Sequence, residues 1–94
     1  MPDALDVRDH PADHRFEVRA GNEVAFLQYH DKADGHRVLV HTEVPPALEG
    51  KGIGGRLVKA ALDDARAGGR RIVALCPFVR SYLTRHPEYA DLED

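Results

Sequence analysis

The sequence predicts an α+β fold with elements in the order β-β-β-β-α-β-α around one mixed sheet. Three observations carry that expectation. Residues 15–44 hold strand-like apolar patterns broken at two turn signals, Gly21-Asn22 and Asp34-Gly35. Ile53, Leu57, Val58, Ala61, Leu62 and Ala65 then recur at helical spacing until Gly68-Gly69. Finally, Arg71-Ile72-Val73-Ala74-Leu75-Cys76 is an almost unbroken apolar run, the mark of a strand buried on both faces.

Taken in order, Leu5-Asp6-Val7-Arg8 reads as a short edge strand, followed by the turn-rich Asp9-His10-Pro11-Ala12-Asp13. Arg15 to Ala20 alternates, with Phe16, Val18 and Ala20 on one face, and Glu23 to His30 is the returning strand of a hairpin. His36 to Val44 is a third long strand, ended by Pro45-Pro46. The helix spans residues 53–67. Strand, helix and buried strand make a βαβ unit, so the strands around 38–44 and 71–76 should be parallel. Pro77 suits the first turn of a last helix through Arg85, stopped before Pro87.

Composition narrows the function classes. Ninety-four residues, 43% hydrophobic and 31% charged, fit one small domain over residues 1–94 with no room for a separate substrate domain. A formal charge of -3 argues against a general nucleic-acid binder. Arg66, Arg70 and Arg71 lie close together, either as a local basic patch or as solvated charge at a helix end. The lone Cys76 cannot form an internal disulfide, no signal-peptide pattern opens the chain, and the longest apolar run is too short to span a bilayer. The expectation is a cytoplasmic protein with no nucleic-acid or membrane partner. The six histidines are scattered and lack zinc-finger spacing, so no metal is expected.

Between strand and helix stands Glu49-Gly50-Lys51-Gly52-Ile53-Gly54-Gly55. A glycine-rich loop opening a helix presents unpaired N–H groups, a positive dipole end and no Cβ to block close approach, which is how backbone holds a phosphate. The other reading is a tight helix cap, but that needs fewer glycines, and each costs backbone entropy. Gly50-x-Gly52-x-x-Gly55 also fits the dinucleotide fingerprint. Five residues separate the strand from Gly50, however, and Cys76-Pro77 stands where an acidic residue would take the ribose. A Walker loop fails for want of Gly-Lys-Ser/Thr.

With these residues in view, the chain resembles the GNAT superfamily of acetyl-CoA-dependent N-acetyltransferases, whose Gln/Arg-x-x-Gly-x-Gly/Ala pattern is matched by Glu49 to Gly54. It is most similar to the short single-domain branch, with His41-Thr42-Glu43-Val44-Pro45 before the loop, Cys76-Pro77-Phe78 after the next strand, and Arg85-His86-Pro87-Glu88-Tyr89 near the end. The resemblance implies a GNAT-like mixed sheet and acetyl-CoA as cosubstrate. It implies that Glu49, Gly50, Lys51, Gly52, Ile53 and Gly54 cradle the CoA pyrophosphate while Glu43 and Val44 flank pantetheine. Lys51 and Arg56 are phosphate partners or ordinary surface charge. Glu49 departs from the family's Gln or Arg, and a carboxylate facing a pyrophosphate is repulsive. Only a short turn joins the first two strands where larger GNAT enzymes insert helices, so the acceptor side should be open.

Transfer to an amine needs a base, stabilisation of the carbonyl oxygen and a proton for the thiolate. His41 and Glu43, two apart on a strand, share a face and either can be the base, or both decorate the solvent side. Cys76, at a strand's carboxyl end before a helix, is a nucleophile or a group near the thioester, or else a small buried hydrophobe. Tyr82 falls near the tyrosine with which many GNAT enzymes protonate the CoA thiolate, and core packing is its other reading, as for Phe78 and Leu83. His86 contacts CoA or ends the helix as a cation. The resulting expectation is an N-acetyltransferase acting on a primary amine, small molecule or protein. The alternatives are a non-catalytic acyl-CoA-binding or interaction module and a purely structural domain.

Overall fold

The computed structural model describes residues 6–93. Its strands are β1 (Arg8–His10), β2 (Arg15–Ala20), β3 (Glu23–Asp31), β4 (Arg37–Glu43) and β5 (Ile72–Ala74), and its helices are α1 (Ile53–Ala67) and α2 (Pro77–Arg85). The five strands form one sheet in sequence order. Pairing is antiparallel from β1 to β4 and parallel between β4 and β5. This is the mixed α+β sheet expected.

Each helix has a boundary set locally. α1 leaves its last turn through N–H bonds from Gly68 to Asp64 and from Arg70 to Ala65, with Gly69 at φ +68°. Cys76 precedes α2, and Pro77 at its first position removes an N–H that would have no partner there. Both helices lie on one face of the sheet and touch each other, Gly54 and Gly55 of α1 approaching Phe78 and Tyr82 of α2. Between helices and sheet runs one core. Val18, Leu27, Leu39 and Ile72 from the strands meet Leu57, Val58, Leu62 and Val79 from the helices. No described helix is long and apolar enough to cross a membrane.

The structure moves several expected features. The first strand lies at Arg8–His10 rather than 5–8, because Asp9 and His10 pair with Phe16 and Arg15, and the turn is a 3-10 turn over Pro11–Asp13. Leu5 lies outside the described residues. The last strand covers only Ile72–Ala74 and is not buried on both faces. Val73 is only half-buried, and Leu75 just beyond it is 53% exposed. After Pro87 the chain forms a further 3-10 segment, Pro87–Leu92, that folds back on α1. Tyr89 Oη donates to Asp63 at 2.6 Å, and Arg66 holds both carboxylate oxygens of Asp91 at 2.9 Å. The clustered arginines therefore form no basic patch. Arg66 holds Asp91, Arg70 reaches the Gly35 carbonyl and Asp31, and Arg71 reaches the Asp91 and Glu93 carbonyls.

Arg37 is the polar centre of the fold. Only 4% exposed, it grips Asp31 of β3 with two nitrogens at 2.8 and 3.1 Å and Asp64 of α1 with a third at 2.7 Å. Its guanidinium lies 4.3 Å from the Tyr29 ring centroid, so ion pairing and cation–π attraction act together. A second knot surrounds Glu17, 1% exposed on β2 and held by Arg15, Arg19 and His10. Burial opposes the Glu17 charge, yet the hydrogen bonds from Arg15 and Arg19 outweigh it and hold the carboxyl below its usual range.

The Arg37 contacts likewise hold Asp31 below the carboxylate range, against some burial. A depressed folded value means this stabilisation is complete above the unfolded aspartate value and is lost as pH falls through the folded one. Arg37→Ala should cost about 3 kcal/mol in urea unfolding at neutral pH, because it strands Asp31 and Asp64. Asp31→Asn should flatten part of the loss of stability below about pH 4, with Glu17, Asp34, Asp63 and Asp91, also held low, contributing to what remains. An acid profile identical to wild type would show that Asp31 is not linked to folding.

Candidate functional site

The site begins where two parallel strands part. β4 and β5 pair only from Arg37 and Ile72 to Leu39 and Ala74, after which the Leu75 and Cys76 amides both point at the Leu39 carbonyl, at 3.0 and 3.2 Å. On the other side of β4 the register with β3 slips. Tyr29 faces Leu39, but Gln28 faces His41, leaving Val40 as an extra, bulged residue. A one-residue insertion inverts which side chains face the core. Leu27, buried, pairs with Thr42, so Thr42 faces the helices. Exposed Gln28 pairs with His41, and Phe26 with Glu43, so both predicted acid–base residues face outward.

Behind the parting lies a cleft of about 420 Å³. Thr42, Val44, Leu48, Gly50, Gly54 and Phe78 line it, together with Glu49, Gly52, Ile53 and Gly55. Its floor is the start of α1. The first intrahelical bond runs from the Arg56 N–H to the Gly52 carbonyl at 3.2 Å, so the amides of Ile53, Gly54 and Gly55 precede the helical ladder. Gly52 caps the helix at φ +72° with no side-chain cap, a conformation costly for any residue with a Cβ. Gly54 answers a different need, since a Cβ there would come within 2.6 Å of the Phe78 ring.

Of the residues singled out from sequence, Val44, Glu49, Gly50, Gly52, Ile53 and Gly54 form this wall. Lys51 is exposed at the loop tip, and Arg56 lines a separate shallow crevice with Val7, Lys59 and Asp63. His41 and Glu43 are exposed on the outer face, 3.5 Å apart. Tyr82 is buried against Gly55 and stacked on His86, ring centroids 3.9 Å apart, and burial raises its hydroxyl pKa. Tyr82 thus takes a packed position, one turn beyond Phe78.

Cys76 sits one layer behind the wall, 4% exposed, its sulfur 3.6 Å from the Thr42 hydroxyl. Burial opposes its ionisation, but the Thr42 contact and the N–H groups of Val79 and Phe78 outweigh this and bring the thiol below its ordinary value. Thr42, Leu48, Gly55 and Phe78 are wall residues that the sequence reading left out of the site. Strict alternation pairs His41 with Glu43 and hides Thr42, and Phe78 reads as core although it is 41% exposed. Elsewhere, His10, Asp13 and Glu17 bring ligand-type atoms within 4.8 Å of one another. There Arg15 and Arg19 already occupy the Glu17 carboxylate, and their charge disfavours a further cation.

The two glycines should respond differently to substitution. Gly52→Ala, with open space around the new methyl, should cost about 1–2 kcal/mol from backbone strain alone. Gly54→Ala should displace the Phe78 ring, and combining it with Phe78→Leu should recover much of any loss. Chemical denaturation of the single and double variants checks both statements; additive effects of Gly54→Ala and Phe78→Leu would remove the contact between them.

No curated protein sequence matches the chain significantly. A structure of a GCN5-like protein from Staphylococcus aureus, determined by NMR in solution, superimposes with a TM-score of 0.76 at 26% identity, over 97% of this chain and 89% of that one. The model of the GCN5-related N-acetyltransferase family matches residues 15–92, from the first core strand to the C-terminal 3-10 segment. With a glycine loop opening a helix beside two parting strands, and a family match over most of its length, the chain belongs to the GCN5-related N-acetyltransferases.

Proposed function

We propose that this acetyltransferase takes acetyl from acetyl-CoA and delivers it to a primary amine, as a cytoplasmic member of the short single-domain branch. The observation that carries the proposal is the cleft, where first-turn amides without helical acceptors meet an apolar channel floored by Ile53 and walled by Val44, Leu48 and Phe78. The first part suits a pyrophosphate and the second a pantetheine arm. In this reading the amides from Gly50 to Gly54 hold the phosphates, and the exposed Lys51 adds charge nearby. Glu49 keeps its carboxylate at the exposed rim, where water screens it.

The main chain of Glu43 and Val44 lies beside the arm. In this reading the amine enters from the outer face through the parting of β4 and β5, and His41, on that face, takes its proton while Glu43 at 3.5 Å holds the imidazole in place. Cys76 lies near the thioester end. The connection between β1 and β2 is only a 3-10 turn over Pro11–Asp13, so that segment supplies no wall for an acceptor. That openness suits an acceptor presented on a larger surface. It also supports a second reading, an acyl-CoA-binding module without turnover.

Calorimetry should give one CoA per chain, with Gly52→Val weakening binding strongly in a folded protein; unchanged affinity would remove the phosphate site. CoA release with a panel of amines separates an enzyme from a binding module. On any accepted amine, His41→Ala should lower turnover by about a hundredfold and leave CoA affinity unaltered. Equal turnover would return His41 to the solvated surface.

A further inference from the structure

Thr42 has one side on the cleft and the other against the Cys76 sulfur. The bulge at Val40 puts it there, for without the extra residue β4 would turn His41 inward and Thr42 out. The pairing of Thr42 with fully buried Leu27 fixes its direction toward the helices. Cys76 is fixed from its own side. Its N–H bonds the Leu39 carbonyl at 3.2 Å and its carbonyl accepts the Arg80 N–H at 3.1 Å, so the strand end and the first turn of α2 clamp its backbone.

We propose that Thr42 is a positioning residue for Cys76, its hydroxyl holding the sulfur beside the cleft and stabilising the thiolate form. On ionisation the S–H bond breaks, the electron pair stays on sulfur and the proton passes to solvent. The Thr42 hydroxyl then turns from acceptor to donor, joining the Phe78 and Val79 amides. The Thr42 hydroxyl and the backbone groups of Thr42, Phe78 and Val79 around a buried sulfur replace the imidazole partner of a Cys–His pair, since His41 has been turned to the other face; the backbone contribution of Thr42 survives substitution of its side chain. The charged groups on surrounding elements are Arg80 and Arg85 on α2, Arg37, His41 and Glu43 on β4, and Glu49, Lys51 and Arg56 around the glycine loop. Arg80 donates its Nε to the Ala74 carbonyl at 2.9 Å, and His41 pairs with Glu43. The assignment deepens the acetyltransferase reading, on which its purpose rests, but ionisation of the thiol can be measured without CoA or acceptor.

Cys76 is the sequence's one cysteine, so ultraviolet thiolate absorbance reports on it alone, with Cys76→Ser as the blank. All three tyrosines are shifted upward, away from the thiol, and the Cys76→Ser blank subtracts what they absorb. Burial, with Asp9, pushes Tyr29 up to about 12, burial raises Tyr82, and Asp63 raises Tyr89. Thr42→Val should move the thiol midpoint upward by about one pH unit, and Thr42→Ser should restore it. A midpoint unmoved in Thr42→Val would overturn the proposal. So would a shift that Ser fails to reverse, since that would be a packing effect. Should the Val variant fail to fold by circular dichroism, Thr42→Ala and Thr42→Ser make the same comparison. A restored midpoint in a protein that never acetylates an amine would uphold the positioning role while removing the catalytic reading.

Discussion

Much of the site hangs on one backbone oxygen. The Leu39 carbonyl accepts both the Leu75 and the Cys76 amides, and beyond that point β4 and β5 have no further paired residues. Two parallel strands that stay paired leave no gap between them; two that part after three registers open one at their carboxyl ends. In open α/β sheets that is where ligands bind, and here the helix N-terminus with the glycine loop closes the same space from behind. The bulge at Val40 acts on the same stretch from the β3 side. It re-phases β4 just as pairing to β5 ends, sending Thr42 into the cleft and His41 to the outer face.

A sheet that splits at one end must be held firmly at the other. Arg37 does this at the first residue of β4, its N–H on the Arg71 carbonyl and its guanidinium on β3 and α1 at once. Burying a lone guanidinium would be prohibitive, and two carboxylates and a tyrosine ring offset that cost. The arrangement resists sliding of β4 along either neighbour, and a one-residue slide would exchange Thr42 for His41 in the cleft. The anchoring charge and the cleft thus sit at opposite ends of the same strand.

Sequence made the periodic elements legible and left the aperiodic ones hidden. α1 and α2 fall on the predicted residues, because apolar spacing, Pro77 and Gly68-Gly69 all state their limits locally. The glycine loop was legible for the same reason: Gly50 and Gly52 are needed for their own positive φ. Thr42 was not, because the bulge is a relation between β3 and β4 and neither strand's sequence marks it. Phe78 was hidden by its chemistry, since an aromatic at helical spacing reads as core until Gly54 is known to lie against its ring. Glu17 had a signal that alternation obscured, an Arg-x-Glu-x-Arg run that puts Arg15, Glu17 and Arg19 on one face. The 3-10 segment after Pro87 reflects Tyr89 finding Asp63 and Arg66 finding Asp91, partners more than twenty residues away.

The same parting explains where the fold leaves apolar surface in water. Among the described residues, the large hydrophobic side chains that stay exposed are Val40, Leu75 and Phe78. One is the bulged residue, one follows the last rung of β5, and one stands in the first turn of α2 against Gly54. Scattered exposed apolar residues need no explanation, but Phe78 lines the cleft, while Val40 and Leu75 belong to the two chain segments where β4 and β5 part. Closing the cleft would bury Phe78 and gain roughly 25 cal/mol for each Å² of apolar area withdrawn from water. The chain forgoes that gain and keeps the amides of Ile53 to Gly55 free of helical acceptors in the same place. A molecule that fills the cleft supplies both missing partners, apolar contact for the rim and acceptors for the amides. Its binding would therefore complete the fold as well as load the site, stabilising the folded chain through its preference for that state.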